Sequence, residues 1–223
     1  MKRLINILIM MLVFRFVLAQ QNDEVTSILK DGGFTLSEQK VILSIFEDAK
    51  EKGIPFEDLI VILKEQRLKG SSYYEVSTEI LKKIKVLSSV KESNFPYWSD
   101  GNVRKIAFYL AELYTSRQFM ELSREINDKK LRKKDIENLF KLILFLNSAG
   151  INSNDSFSLI YLIVKNKEMD PSAFDAIQRI IIRSKDLKLT PQQIIVDISK
   201  QLSRGISLRK TIENIEKKAR EEN

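Results

Sequence analysis

The sequence predicts an all-α protein of about ten short antiparallel helices, stacked as an α-solenoid or as an irregular helical array. Three observations predict it. Apolar residues recur three and four positions apart through most of the chain. Seven glycines and four prolines are few for 223 residues and fall mainly between apolar runs, whereas a sheet protein needs a turn signal every ~8–12 residues. Finally, helix-start signals repeat in position. The two steps from Thr35 to Pro55 to Ser72 are equal, one for one, to those from Asp170 to Thr190 to Ser207.

Residues 1–19 carry the pattern of a signal peptide. Lys2 and Arg3 form a positive head, Leu4 to Phe14 an apolar run, and Val17-Leu18-Ala19 a small-residue cleavage site before Gln20. Arg15 interrupts the run and leaves it well short of the ~20 residues of a spanning helix. The expectation is an exported protein, periplasmic or secreted, of bacterial type; tethering by an uncleaved N-terminal segment is the alternative. Cleavage removes Lys2, Arg3 and Arg15 and lowers the net charge from +7 to +4. Export and so mild a charge argue against a nucleic-acid partner.

Residues 20–92 form the first predicted helical unit. A short helix carries Val25, Ile28 and Leu29 and stops at Gly32-Gly33. Phe34 and Thr35 read as staple and N-cap, with Glu38 completing a capping box. The next helix places Val41, Ile42, Ile45, Phe46 and Ala49 on one face and ends at Gly53, where Ile54 folds back. Pro55 starts a third helix, whose Leu59, Ile60, Ile62, Leu63 and Gln66 run toward Gly70. Ser72, with Glu75 at the box position, caps a fourth that buries Val76, Ile80, Leu81, Ile84 and Leu87.

The stretch 93–101 is predicted as an aromatic loop, the clearest break in the helical pattern. Residues 102–223 then hold the middle helices and a C-terminal helical unit. Asp100 or Asn102 caps a helix with Val103, Ile106, Ala107, Leu110 and Leu113 inward. Another starts near Ser116 with Phe119, Met120, Leu122 and Ile126, and Lys129 to Lys134 is a basic connector. Ile136, Leu139, Phe140, Ile143, Leu144 and Leu146 make a strongly apolar helix ended by Ala149-Gly150-Ile151, and Asp155 to Lys167 forms the next. At a constant offset the first unit then maps onto the last. Asp170-Pro171 precedes Ile177, Ile180 and Ile181; Thr190-Pro191 precedes Ile194, Ile195, Val196 and Ile198; Gly205 and Ser207 match Gly70 and Ser72. The Lys- and Glu-rich tail from Glu213 reads as a solvated helix.

Helical units of about 35–40 residues that cannot bury an apolar face alone characterise stacked repeats. Over residues 34–222 the chain resembles exported tetratricopeptide- and HEAT-like solenoids, the double step from Thr35 to Ser72 lying between the two repeat lengths. The Trp-Leu-Gly-Tyr…Ala…Phe…Pro pattern of tetratricopeptide units is absent, so no family residue is carried over. The resemblance implies only the general role of such repeats, holding another protein or a polymer on one face.

Composition limits the chemistry. With neither cysteine nor histidine, the chain has no disulfide, no thiolate or imidazole metal site, no cysteine nucleophile and no histidine base. No catalytic, cofactor or metal residues are assigned, and no cofactor is expected. Candidate binding residues are the aromatic loop (Phe95, Tyr97 and Trp98), the pair Tyr73-Tyr74, and the basic run Lys129, Lys130, Arg132, Lys133 and Lys134. The aromatic rings suit stacking on a sugar or a peptide, or packing between helices. The basic run suits an anionic polymer or a membrane surface, or a solvated helix end. Glu92-Ser93 followed by Phe95-Pro96 faintly resembles the glutamate motif of lytic transglycosylases, whose Glu is the general acid. The Gly-Leu-Met-Gln stretch expected downstream is replaced by Val103-Arg104-Lys105-Ile106. The expected function is a non-enzymatic scaffold that binds another protein of an envelope or motility assembly. The alternative is a cell-wall-associated hydrolase or glycan-binding protein that uses carboxylates only.

Overall fold

A computed structural model of the chain describes residues 23–221, with side chains to Lys217; segment 1–19, expected to be a signal peptide, lies outside the described residues. The fold is all-α, with eleven helices and no strand among the described residues. They are α1 (23–31), α2 (Leu36–Glu51), α3 (Phe56–Leu68), α4 (Tyr73–Glu92), α5 (Gly101–Leu113), α6 (Ser116–Asp128), α7 (Lys133–Ser148), α8 (Ser153–Lys165), α9 (Pro171–Ile182), α10 (Pro191–Ser203) and α11 (Leu208–Glu221). None is long and apolar enough to cross a membrane among the described residues. The chain divides into two compact units, with the boundary between Ser89 and Val90 near the end of α4.

One backbone device ends most of the helices. After α2, Gly53 takes φ +68° and its N–H donates to the Lys50 carbonyl, while the Ile54 N–H donates to the Ala49 carbonyl. That pair of bonds satisfies carbonyls a helix end otherwise leaves open. The same two bonds recur at Gly33-Phe34, Gly70-Ser71, Lys130-Leu131, Gly150-Ile151, Lys167-Glu168, Lys188-Leu189 and Gly205-Ile206, with the first residue of each pair left-handed. The steps from Gly33 to Gly53 to Gly70 are repeated without change from Lys130 to Gly150 to Lys167. The middle of the chain is therefore as regular as its ends. Of the three left-handed residues that close α6, α7 and α8, two are lysines, so this stretch carries little glycine signal.

The starts are equally consistent. Thr35, Thr115 and Thr190 complete capping boxes with Glu38, Gln118 and Gln193, and Ser72 pairs in the same way with Glu75. Asp100 rather than Asn102 caps α5, accepting from the backbone N–H groups of Asn102 and Val103. Pro55 precedes α3 as its N-cap and contributes no side-chain bond.

In the first unit α2 packs on α3, and ion pairs Lys64–Glu24 and Arg67–Asp31 tie α3 to α1. The second unit is built of two rows. The odd helices α5, α7, α9 and α11 each pack on the next odd one, as do the even helices α6, α8 and α10, and contacts such as α7 with α8 join the rows. The predicted stripes are narrower than expected. Ile42, Phe46 and Ala49 are buried as predicted, as are Ile177, Ile180 and Ile181, but Val41, Leu81, Met120, Leu144 and Val196 are exposed. Each sits at the flank of its stripe, rotated off the face that meets a neighbour.

Candidate functional site

The aromatic loop and the basic run, well separated in sequence, lie against each other in the second unit. The loop 93–100 leads into α5, and α6 holds it from beneath. The Phe95 ring is buried and stacks on Phe119 at 6.1 Å between centroids. Ser123 Oγ donates to the Ser93 carbonyl, and Asn127 Nδ2 to the Asn94 carbonyl. Phe95 is thus part of the core and out of a ligand's reach. Tyr97 stands at φ +57° with its ring partly exposed, and Trp98 is half-buried under the Arg104 guanidinium, 5.8 Å from the ring centroid.

Two bonds join this loop to the α6–α7 connector 129–132 and the first residue of α7. The Tyr97 hydroxyl donates to the Leu131 carbonyl at 3.2 Å, and Lys133 Nζ donates to the Asp100 carboxylate. That lysine holds the Asp100 carboxyl below the ordinary range, helped by the backbone N–H of Val103. Asp135 is bound from two sides. The Arg132 guanidinium donates to both its oxygens, at 2.9 and 3.0 Å, and the Arg132 backbone N–H adds a third bond. Arg132 therefore lowers the Asp135 pKa, and Lys167 from the next repeat adds to the effect.

The pattern continues along the row. Asp100, Asp135 and Asp170 stand at equal intervals in the sequence, at the starts of α5, α7 and α9. The first two face Lys133 and Lys167; Asp170, lowered by its bonds to Ser172, faces Arg209. These carboxylates are occupied by caps and by cations of the following repeat. Lys129, Lys130 and Lys134 have no carboxylate partner among the described residues. Between the α6–α7 and α8–α9 connectors opens a shallow cleft of about 490 Å³, lined by three cations (Lys130, Arg132 and Lys167) and three carboxylates (Asp135, Glu168 and Asp170).

A second exposed region lies in the first unit. Tyr73 is half-buried and Tyr74 exposed, as their adjacent positions on a first helical turn require. Tyr74 is 76% exposed, Leu68 88% and Leu36 73%, more than any other large apolar side chain among the described residues. The Arg67–Asp31 pair brings together the last turns of α3 and α1, so that Leu68 and Leu36 occupy the same end of the unit as Tyr74. An open cleft of about 420 Å³ beside Tyr74 is lined by Gln66, Lys69, Ser71, Glu75, Thr78 and Glu79. Sequence patterning does not mark Leu36 and Leu68, because single apolar residues next to a helix end carry no periodic signal.

The remaining aromatics pack across repeats. Tyr114 is buried with its hydroxyl 3.2 Å from Ser156 Oγ, and burial pushes its pKa up to about 12. Its ring meets Phe157 edge-on, and Tyr109 meets Phe140 in the same way. Glu92 is exposed at the last residue of α4. Among the described residues no three acidic side chains gather as a metal site requires. Comparison of the chain with protein-family models, with curated proteins and with solved structures found no match.

Proposed function

We propose that the protein is a non-enzymatic scaffold, exported to the periplasm or beyond, that docks another protein of an envelope or motility assembly. The observation that carries this reading is the apolar end of the first unit. Leu36, Leu68 and Tyr74 are the most exposed large apolar side chains among the described residues and share one end of the unit, and apolar surface left in water in one region is the mark of a docking surface. Tyr74 has the character of an interface anchor, a large ring with a polar tip. The helices beneath are fixed by caps and by the ion pairs to α1, so the three side chains are presented on a firm base.

Site-specific photocrosslinking in intact cells tests the reading. A photoreactive residue at position 68 or 74 is expected to trap one product of defined mass, and the same residue at position 203 is not. Leu36→Asp combined with the probe at position 74 is expected to abolish that product. A product of twice the chain mass reassigns the surface to self-association, and no product at either position refutes the proposal.

A further inference from the structure

The positive charge of the second unit is concentrated on one edge. Residues 90–223 hold 24 lysines and arginines against 18 acidic residues. Three connector segments (128–135, 165–170 and 204–210) account for ten of those cations and only four of the acids, with Asp100, Glu137 and Glu213 just outside them pairing with Lys133, Arg209 and Lys210. These segments span the α6–α7, α8–α9 and α10–α11 connectors, one repeat apart; the first two line one cleft, and Asn166 Nδ2 of the second donates to the Leu202 carbonyl beside the third. The aromatic loop joins the same edge through Tyr97 and Lys133. On the opposite side the α5–α6 and α7–α8 connectors are linked by the neutral amides of Gln118 and Asn154, and only the α9–α10 connector is basic, with Arg183, Lys185 and Lys188 against Asp186.

We infer that this edge docks on a lipid bilayer surface rich in anionic headgroups. The cleft between the connectors is neutral in sum, so the excess charge stands on the exposed side chains of Lys134 and Arg204 and the partly exposed Lys129, with Lys130 at the cleft's edge, and not in a pocket. An array of basic side chains without a pocket complements an extended anionic surface, and each Lys or Arg near such a surface adds to the attraction. No large apolar side chain of the three connectors is exposed to anchor a peptide. What the edge does carry is Tyr97 and Trp98 at one end, partly exposed rings with polar groups. Such rings favour the headgroup region of a membrane. The edge is a peripheral contact that sits on the surface without crossing it.

The chain reports on this itself, because Trp98 is its single tryptophan. The full chain is mixed with vesicles of phosphatidylcholine, with and without phosphatidylglycerol, and its Trp emission and co-sedimentation are followed. Phosphatidylglycerol is expected to shift the emission to the blue and to raise binding. Both effects should vanish as salt rises from about 0.05 M to about 0.5 M, where screening shortens the reach of charge to a few ångströms. The triple variant Lys130→Glu/Lys134→Glu/Arg204→Glu is expected to lose about a hundredfold or more of the phosphatidylglycerol-dependent binding. The triple variant Arg117→Glu/Lys185→Glu/Lys188→Glu makes the same change in net charge away from the edge and is expected to lose less than tenfold. Equal losses in the two triples overturn the proposal, as does an unshifted wild-type emission with phosphatidylglycerol vesicles. Binding of soluble polyglutamate by the same edge without any vesicle response also overturns it, in favour of an acidic protein partner.

Discussion

The connectors on either side of α7 share a backbone and differ in almost everything else. In 129–132 the left-handed residue is Lys130, the buried residue after it is Leu131, and the start of α7 is secured by Asp135 reaching back to Arg132. In 149–152 the corresponding residues are Gly150, Ile151 and Asn152, and Asn152 accepts directly from the Asp155 N–H. The main-chain hydrogen bonds match within a few tenths of an ångström. One connector belongs to a basic edge, and the other bonds through the neutral amides of Asn152 and Gln192. The fold is thus set by the buried apolar residue and the backbone bonds, while the remaining positions are left to define what each edge presents to its surroundings.

The largest test of this equivalence is removal of the buried side chain. Leu131→Ala and Ile151→Ala are each expected to cost about 2–5 kcal/mol in denaturant unfolding, by lost burial and an incompletely filled cavity. Similar losses support one shared module; a penalty confined to one site breaks the comparison. The left-handed residue gives a smaller effect of opposite sign at the two sites. Gly150→Ala is expected to destabilise by about 1 kcal/mol, because φ +76° disfavours any Cβ. Lys130→Gly is expected to stabilise by about 0.5–1 kcal/mol, since the strain at φ +50° is relieved at some entropic expense. Stability unchanged in both variants would remove backbone strain from the account.

The smallest effect is the pH dependence at Asp135. Its carboxyl is lowered by Arg132 and Lys167, so the folded state holds this proton less tightly than the unfolded chain does. The resulting stability is present above the unfolded carboxyl pKa of about 3.9 and is lost as pH falls through the lower folded value. Asp135→Asn is expected to remove that part of the acid limb, read from denaturant midpoints at about pH 2 to 5. The contribution is modest, because the Arg132 side chain is largely exposed and water screens the pair. An unchanged acid limb in the variant assigns it to other carboxylates.

Much of this architecture is legible in the sequence where one residue type carries the signal. Gly53, Gly70, Gly150 and Gly205 mark helix ends because left-handed backbone favours glycine, and Thr35-Glu38 and Ser72-Glu75 mark starts because their side chains bond the open N–H groups. Lys130 and Lys167 are not legible as helix ends, nor Lys188 as the end of the turns after α9, since lysine has no such preference. Only their spacing from Gly150 and Gly205 betrays them. The box Thr115-Gln118 escapes notice because the α5–α6 connector is very short and has no glycine to announce it. The candidate edge is the least legible feature. Composition singles out Tyr97 and Lys133 separately, but the bonds from Tyr97 to Leu131 and from Lys133 to Asp100 depend on the loop packing beside α6 and α7, and nothing local in either stretch records them. Leu36 and Leu68 escape for the converse reason: exposure is decided by which neighbours a helix lacks.

The recurrence of a single helix-ending conformation also makes the chain divisible. Lys130 and Lys167 close α6 and α8 in the same left-handed state with the same two backbone bonds. A cut after one and a rejoining after the other would connect matching ends and change the row by one whole hairpin. Its length is therefore counted in quanta of one hairpin, the span from Lys130 to Lys167. An insertion or deletion of that size preserves the alternation of the two edges, where a smaller one reverses or breaks it.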